Sequence, residues 1–185
     1  MIIAFTGAGI SKESGIPTFE DMGDTRDKLS RQFARTRPLE YQKIIDKLIR
    51  YSEEAIPNNA HIALAQYDIP ILTMNIDNLH QRVGSKHVVN LHGELPNNIV
   101  LYGDSAPNYQ IAYDWVELLR DGDIFLIIGA SKYTNVALSL RVMAISSGAR
   151  VVEIQDNAAT KVPEFLSKNK DSIGTFEEFI NRVNS

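Results

Sequence analysis

The amino-acid sequence contains no cysteine. It therefore cannot form disulfides, thiolate metal sites or a cysteine nucleophile. An excess of positive charge is also missing, since 19 basic and 23 acidic residues give a net charge of -4. A broad nucleic-acid-binding surface needs clustered positive charge, so we expect no nucleic acid partner. One stretch, residues 26–37, is rich in basic residues. Asp24 precedes it and Asp27 lies within it, so we interpret it as a solvated helical face.

Long apolar runs are absent as well. The longest, Ile124 to Ala130, is much shorter than the roughly 20 residues that a membrane-spanning helix needs. The N-terminal residues MIIAFTGAG lack the basic leader and the long apolar core of a secretory signal. We therefore expect no membrane partner and a cytoplasmic location. The chain has 185 residues, 44% of them hydrophobic, which fits a single domain over residues 1–185. The sequence does not indicate an oligomeric state.

Short apolar runs alternate with helical patterns along the chain. The predicted strands are Ile2–Thr6, Ile69–Thr73, Val88–Leu91, Ile99–Tyr102, Ile124–Ile128 and Arg150–Ile154. A mostly helical insertion is expected at about residues 20–67, and the later predicted helices are Tyr113–Arg120, Val136–Ser147, Pro163–Lys168 and Thr175–Val183. This alternation predicts an α/β fold with a Rossmann-like parallel sheet and helices on both faces. In such sheets a ligand binds beyond the carboxyl ends of the strands.

A glycine-rich turn follows the first predicted strand. Gly7-Ala8-Gly9 can make a tight turn that lets a phosphate approach the backbone, and the hydroxyls of Ser11 and Ser14 could donate to it. The pattern G-x-G-x-x-G is incomplete, because Lys12 stands at the third glycine position. Taken alone, the turn is a weak signal, and a tight turn without a ligand remains an alternative.

Two other strand ends carry residues suited to catalysis. Asn75 and Asp77 offer an amide and a carboxylate that together can satisfy the donor and acceptor atoms of a carboxamide. An Asx turn with Asp77 as a helix cap is the alternative. His92 precedes Gly93 and titrates near neutrality, so it could take a proton from a hydroxyl. We interpret His80 as a packing and hydrogen-bonding residue.

Several longer motifs resemble one family in order along nearly the whole chain. They are GAGISKESGIPTF (7–19), TMNIDNLHQRVG (73–84), VVNLHGE (88–94), IVLYGDSAP (99–107), IIGAS (127–131) and GARVVEIQDN (148–157). Together they resemble the sirtuins, which are NAD-dependent protein deacylases. The resemblance implies that the chain cleaves NAD to nicotinamide and transfers the acyl group of an acyl-lysine protein or peptide to ADP-ribose. An NAD hydrolase or ADP-ribosyltransferase on the same fold, or a nucleotide sensor without turnover, remains an alternative.

The resemblance also implies which residues form the site. The catalytic residues would be His92, Asn75 and Asp77, with His92 activating the ribose after the acyl oxygen has attacked the sugar. Phe19 would cover the nicotinamide. The full set of implied NAD-binding residues is Gly7, Ala8, Gly9, Ser11, Ser14, Phe19, Asn75, Ile76, Asp77, His92, Gly129, Ala130, Ser131 and Gln155. The substrate peptide would pair with Ile99, Leu101, Tyr102 and Gly103.

The sequence departs from the family pattern in three places. The four-cysteine zinc module that most sirtuins carry is replaced by the short segment 95–98, so we expect a minimal form without a metal site. Glu20 stands where the family has an arginine that helps to hold a phosphate. Met74 replaces a glutamine. These departures bear on the substrate and the rate more than on the fold.

Overall fold

A central parallel sheet organises the computed structural model, which describes residues 1–18, 20–131 and 134–184. Its strands are β1 (Ile2–Thr6), β2 (Ile71–Thr73), β3 (Val88–Asn90), β4 (Ile124–Ile128) and β5 (Arg150–Ile154). They lie in the order β3-β2-β1-β4-β5, and all neighbouring pairs are parallel. This is the strand order of the Rossmann fold, so the predicted fold class is confirmed.

Helices connect the strands and follow the last one. They are α1 (Thr25–Lys28), α2 (Arg31–Thr36), α3 (Pro38–Glu54), α4 (Asn59–Gln66), α5 (Leu79–Arg82), α6 (Asn108–Glu117), α7 (Asn135–Ser146), α8 (Ala158–Lys168) and α9 (Phe176–Ile180). Short 3₁₀ helices cover Ala8–Ser14, Lys170–Ser172 and Asn181–Asn184. None of the helices in the described part of the chain has the length and apolar character needed to cross a membrane.

The sheet is covered on both faces because the side chains of β1 alternate between them. Ile3 and Phe5 point into a cluster with residues of α6, α7 and α9. Ile2 and Ala4 point into a second cluster with residues of α4 and α8. All four side chains are fully buried. Burying a side chain the size of Ile or Phe stabilises the fold by about 1.5–3 kcal/mol, so β1 anchors both layers.

A third apolar cluster joins the helical insertion to the segment that follows β3. Leu29, Ile45 and Leu48 of the insertion pack there with Leu95 and Leu101. This packing fixes the insertion beside the carboxyl ends of the strands, where the predicted site residues lie.

The predicted strand Ile99–Tyr102 is not part of the sheet. Tyr102 instead forms an isolated parallel bridge with Ser30. The amide of Tyr102 donates to the carbonyl of Leu29 at 3.0 Å, and its carbonyl accepts from the amide of Arg31 at 2.9 Å. The apolar pattern that predicted a sheet strand is therefore explained by packing against the insertion.

Two predicted helix starts were too late. Helix α6 begins at Asn108, directly after Pro107, whose φ of -62° suits the start of a helix. Helix α8 begins at Ala158 and contains Pro163 inside it, although we expected this proline to mark the first turn. The prediction treated Pro163 as a boundary, whereas the helix accommodates it.

Candidate active site

Two glycine turns meet where β1 and β4 end. The amide of Gly9 donates to the carbonyl of Gly129 at 2.9 Å, and the amide of Gly7 donates to Ile128 at 3.0 Å. A Cβ added to Gly9 would lie 2.6 Å from the Cα of Gly129, so a side chain cannot be accommodated there. The sheet changes its winding direction between these two strands, which is where open α/β sheets bind ligands.

A cavity of about 580 Å³ opens at this point and extends to the helical insertion. Fourteen of the residues that we predicted from the sequence line it: Ala8, Gly9, Ser11, Asn75, Ile76, Asp77, His92, Ile99, Leu101, Tyr102, Gly103, Gly129, Ser131 and Gln155. The structure thus brings the glycine turns, the Asn75–Asp77 pair, His92 and the candidate peptide segment to one place.

Ser11 links the amide and the carboxylate that follow β2. Its hydroxyl donates to Asp77 Oδ2 at 2.6 Å and accepts from Asn75 Nδ2 at 3.1 Å. Asp77 Oδ1 also accepts from the amide of Leu79, the first residue of α5, at 3.1 Å, so Asp77 forms an Asx turn before that helix as well as lining the cavity. Burial raises the pKa of Asp77, and the hydrogen bond from Ser11 opposes that shift.

His92 is held in one orientation by two hydrogen bonds. Its Nδ1 lies 3.1 Å from the carbonyl of Met74, which can only accept, so Nδ1 carries the proton. Its Nε2 therefore has a free lone pair, which accepts from the hydroxyl of Tyr109 at 2.8 Å. Burial lowers the pKa of His92, the Met74 carbonyl raises it, and the nearby Arg26 lowers it further. The outcome is a neutral imidazole with its basic nitrogen directed by the fold.

Some main-chain groups of the candidate peptide segment, residues 99–103, already form hydrogen bonds with other residues of the protein. Tyr102 is paired on both its amide and its carbonyl, as described above, and the amide of Leu101 donates to Asp104 Oδ2 at 3.1 Å. Asp104 is itself bound by Arg31 at 2.7 and 2.5 Å. A peptide that paired with this segment would lie beside these contacts.

Comparison with known proteins agrees with this geometry. Residues 7–98 match the sequence profile described as the Sir2 family. An NAD-dependent protein deacetylase of Bacillus cereus (strain ATCC 10987 / NRS 248) is 30% identical over 223 aligned positions, which cover 96% of this chain and 91% of that protein. An NAD-dependent protein deacylase of Bacteroides thetaiotaomicron is 33% identical over 70% of this chain and 74% of that protein.

The chain belongs to the Sir2 family. Solved structures share the fold of this sirtuin. A crystal structure of a Sir2 homologue in complex with NAD superposes with a TM-score of 0.81 at 22% identity, covering 94% of this chain and 90% of that one. A complex of Sir2 with a p53 peptide and NAD⁺ gives a TM-score of 0.76 at 22% identity, covering 93% and 94%. The alignment with the Bacillus cereus relative is longer than the 185 residues of this sirtuin, so that relative carries segments that are missing here.

Three described residues that we predicted to bind the cofactor, Gly7, Ser14 and Ala130, are not among those that line the cavity. Gly7 and Ala130 are both buried. The hydroxyl oxygen of Ser14 accepts from Asn58 Nδ2, at the start of α4, at 3.0 Å. Its own proton can still donate, so the contact of Ser14 with a phosphate stays a prediction. Phe19, the expected cover over the nicotinamide, lies outside the described residues.

His61, His80 and His87 are not among the residues that line the cavity. His80 is buried and its Nε2 lies 3.0 Å from the hydroxyl of Thr6, as expected for a packing and hydrogen-bonding residue. His61 packs against His80 with ring centroids 4.9 Å apart, and His87 stacks on Phe176 at 4.0 Å. Within residues 1–18, 20–131 and 134–184, no group of three or more potential ligand side chains could hold a metal ion.

The sequence reasoning missed several residues that line the cavity. Asp156 is the second residue beyond the end of β5, so the rule that ligands bind at strand ends could have identified it. Lys12 was noted only as a break in the glycine pattern. Tyr109 and Arg26 gave no comparable signal, because their approach to His92 and to the candidate peptide segment depends on the tertiary fold.

Proposed function

We propose that this sirtuin is an NAD-dependent protein-lysine deacylase, which cleaves NAD to nicotinamide and transfers the acyl group of a lysine to ADP-ribose. Its family membership supports this, as do the relatives named as NAD-dependent deacetylase and deacylase. The observation that carries the proposal is the arrangement of His92. Its unprotonated Nε2 lies in the same cavity as the Asn75–Asp77 pair and the two glycine turns.

The residues of the cavity fit NAD. Ala8, Gly9 and Gly129 bring main chain to the cavity surface without bulky side chains, which suits close approach of a diphosphate. Ser131 and Gln155 line the same region and offer polar groups to a ribose. When bound, NAD supplies a sugar that is activated by its bond to a cationic nicotinamide.

Asn75 and Asp77 are placed to hold the carboxamide of the nicotinamide. Their hydrogen bonds through Ser11 fix both side chains before any ligand arrives, which reduces the entropy lost on binding. Asp77, in the turn between β2 and α5, has 7% of its surface exposed, so water competes little for its oxygens.

His92 is placed to take a proton from a ribose hydroxyl. The hydroxyl of Tyr109 now occupies the Nε2 lone pair at 2.8 Å, so a ribose hydroxyl would replace it there. The carbonyl of Met74 holds the proton on Nδ1 and stabilises the positive charge that the ring gains when it accepts the second proton.

The apolar side of the cavity suits the acyl chain of the substrate lysine. Leu29 and Leu48 of the insertion face the cavity there together with Ile76, Ile99 and Leu101. An acyl group in this region would replace water on hydrocarbon surfaces, which favours its binding by about 0.8 kcal/mol for each buried methylene.

One observation favours NAD hydrolysis as a second candidate. The main chain of Tyr102 is already paired with Leu29 and Arg31, which leaves less of the candidate peptide segment free for a substrate main chain. In that reaction water replaces the acyl oxygen as the nucleophile, while Asn75 and Asp77 keep their part in holding the nicotinamide.

Product analysis separates the two activities. The protein is incubated with NAD alone and with NAD plus an acyl-lysine peptide, and nicotinamide, ADP-ribose and O-acyl-ADP-ribose are quantified. A deacylase releases nicotinamide only with the peptide and forms one O-acyl-ADP-ribose for each nicotinamide. Equal amounts of nicotinamide and ADP-ribose, independent of the peptide, would instead identify a hydrolase.

A further inference from the structure

The basic stretch of residues 26–37 lies along the candidate peptide segment. This stretch holds four arginines and a lysine in a chain whose net charge is -4. The bridge between Ser30 and Tyr102 and the hydrogen bond from the amide of Arg31 to Tyr102 join the stretch directly to residues 99–104. The stretch is largely helical and exposed, as we expected for a solvated helical face, and that face lies at the edge of the active site.

Three arginines of the stretch approach this segment. Arg26 Nε donates to the phenol of Tyr102 at 2.9 Å, and its guanidinium lies 5.9 Å from the centre of that ring. Arg31 forms the two-pronged ion pair with Asp104. The hydrogen bond from Arg31 is the main cause of the lowered pKa of Asp104. Arg35 is exposed and lies close enough for its charge to lower that pKa further.

The charges of these arginines are only partly neutralised. Asp104 forms an ion pair with Arg31. The hydrogen bond to Tyr102 is the main cause of the raised pKa of Arg26, and the charge of the nearby Asp27 raises it further. Arg35 has no ion-pair partner among the described residues. Among these three arginines, Arg35 thus keeps a positive charge without an ion pair, close enough to Asp104 to act on it.

A carboxylate already occupies this surface. Asp104 binds Arg31 with both oxygens and also accepts from the amide of Leu101. Asp104 therefore shows that a carboxylate can bind at this surface between a guanidinium group and a main-chain amide.

We infer that this arginine surface, formed by Arg26, Arg31 and Arg35, selects acyl-lysine peptides that carry acidic side chains next to the acyl-lysine. This inference rests on the proposed deacylase function. A peptide that pairs with residues 99–103 places the residues flanking its acyl-lysine beside the arginines. Acidic flanking residues are attracted there, and basic ones are repelled.

The expected preference is moderate and depends on salt. Exposed charge pairs contribute roughly 2- to 5-fold each in affinity, so two acidic flanking residues should bind several-fold more tightly than two neutral ones. Screening shortens the range of the attraction from about 10 Å at 0.1 M salt to about 3 Å at 1 M. The preference should therefore shrink markedly at high salt, which a contact of purely apolar origin would not do.

The test measures peptide binding directly. Fluorescent peptides with the same acyl-lysine and either acidic, neutral or basic flanking residues are titrated with the protein in the presence of ADP-ribose, and anisotropy gives each Kd. Each peptide is paired with its unacylated form. Arg35→Glu is compared with Arg50→Glu, which makes the same change of charge at an exposed position of α3.

We expect the wild type to bind the acidic peptide most tightly, the neutral one less tightly and the basic one most weakly. In Arg35→Glu these differences in affinity should become smaller or reverse, whereas Arg50→Glu should keep them. Equal affinity for the three acylated peptides, each tighter than its unacylated form, would overturn this inference and leave the deacylase proposal intact. Failure of every peptide to bind in an acyl-dependent way would overturn both.

Discussion

At the scale of single residues, the chemistry depends on the directed ring of His92. Since Nδ1–H donates to the Met74 carbonyl, the lone pair of Nε2 points to the cavity in the form that a base requires. A histidine at a strand end could be recognised from the sequence. Its tautomer could not, because both partners come from distant parts of the chain.

The pH profile of acyl transfer should reflect this environment. His92 has a pKa below its usual 6.5 because burial disfavours the imidazolium. A base must be neutral, so we expect the rate to be constant near pH 7 and to fall only at a pH below 6.5. The measurement is kcat/KM for the peptide against pH. Arg26→Gln should move the acid limb to higher pH, since Arg26 lowers the pKa of His92, whereas Arg50→Gln should not move it. An acid limb above pH 6.5 in the wild type would contradict this account.

Glu20 is the second residue whose charge can be tested. It lines the cavity in which the diphosphate would lie. Glu20→Arg removes a repulsion and introduces a donor fork that suits phosphate oxygens, so we expect a several-fold lower Kd for NAD by calorimetry at low salt. Glu117→Arg, on the exposed face of α6, makes the same change of charge and should leave the Kd nearly unchanged. Equal affinities in the two variants would show that Glu20 points away from the cofactor.

At the scale of elements, the contact between the turns after β1 and β4 determines the shape of the cavity. The close approach of Gly9 and Gly129 leaves no space for a side chain on either. The same contact explains why glycine is needed here even though the motif G-x-G-x-x-G is incomplete.

Gly9→Ala tests this contact. Its Cβ would lie 2.6 Å from main-chain atoms of Gly129, so the two turns must separate. We expect a destabilisation of about 1–3 kcal/mol in urea unfolding together with weaker NAD binding. Gly174→Ala is the matched control, because its Cβ would meet only the flexible side chain of Met1 at 3.4 Å and then Glu178. Similar losses in both variants would mean that the contact between the turns has no special weight.

Elements with a strong local pattern could be predicted from the sequence. Strands β1, β4 and β5 were predicted with the bounds found in the structure, since each is a buried or half-buried apolar run that ends at a turn residue. Residues 99–102 had a similar pattern, but their apolar side chains pack on the insertion and their hydrogen bonds go to residues 29–31. Local sequence could not reveal that pairing, because it joins segments that are about 70 residues apart.

The residues of the candidate site that belong to a sequence motif could be predicted from the sequence. Asn75, Asp77 and His92 lie together as expected, because parallel strands bring their carboxyl ends to one edge of the sheet. Tyr109 and Arg26 were missed, because each acts on the site across a tertiary contact that no spacing encodes. The assignment of the sirtuin family is confirmed, whereas the roles of individual residues stay predictions.

At the scale of the whole molecule, two buried histidines make stability depend on pH. His61 and His80 are buried and pack together, and burial lowers the pKa of both, that of His61 to about 4. The unfolded chain binds protons on these rings below pH 6.5, whereas the folded chain does so only at a lower pH. Stability is therefore complete above pH 6.5 and is lost as the pH falls towards about 4.

The free energy of unfolding should fall by about 3 kcal/mol from His61 alone between pH 7 and pH 4. The raised pKa of Asp77 acts in the opposite direction and offsets part of this loss. Urea unfolding at both pH values measures the sum. His61→Leu should flatten the dependence, and His87→Gln, which changes a partly exposed ring, should retain it. A pH dependence that survives His61→Leu unchanged would show that other groups cause it.

The central claim is that this cavity couples cleavage of NAD to acyl transfer with His92 as the base. The most direct measurement quantifies O-acyl-ADP-ribose and nicotinamide exchange separately, with NAD and an acyl-lysine peptide, in the wild type, His92→Ala and Asn75→Ala. We predict that His92→Ala loses about 10²–10⁴-fold in the formation of O-acyl-ADP-ribose while nicotinamide exchange persists, because removing a general base affects the later proton transfer. Asn75→Ala should lose both, since it weakens the hold on the nicotinamide. A His92→Ala protein that forms O-acyl-ADP-ribose at the wild-type rate would contradict the account.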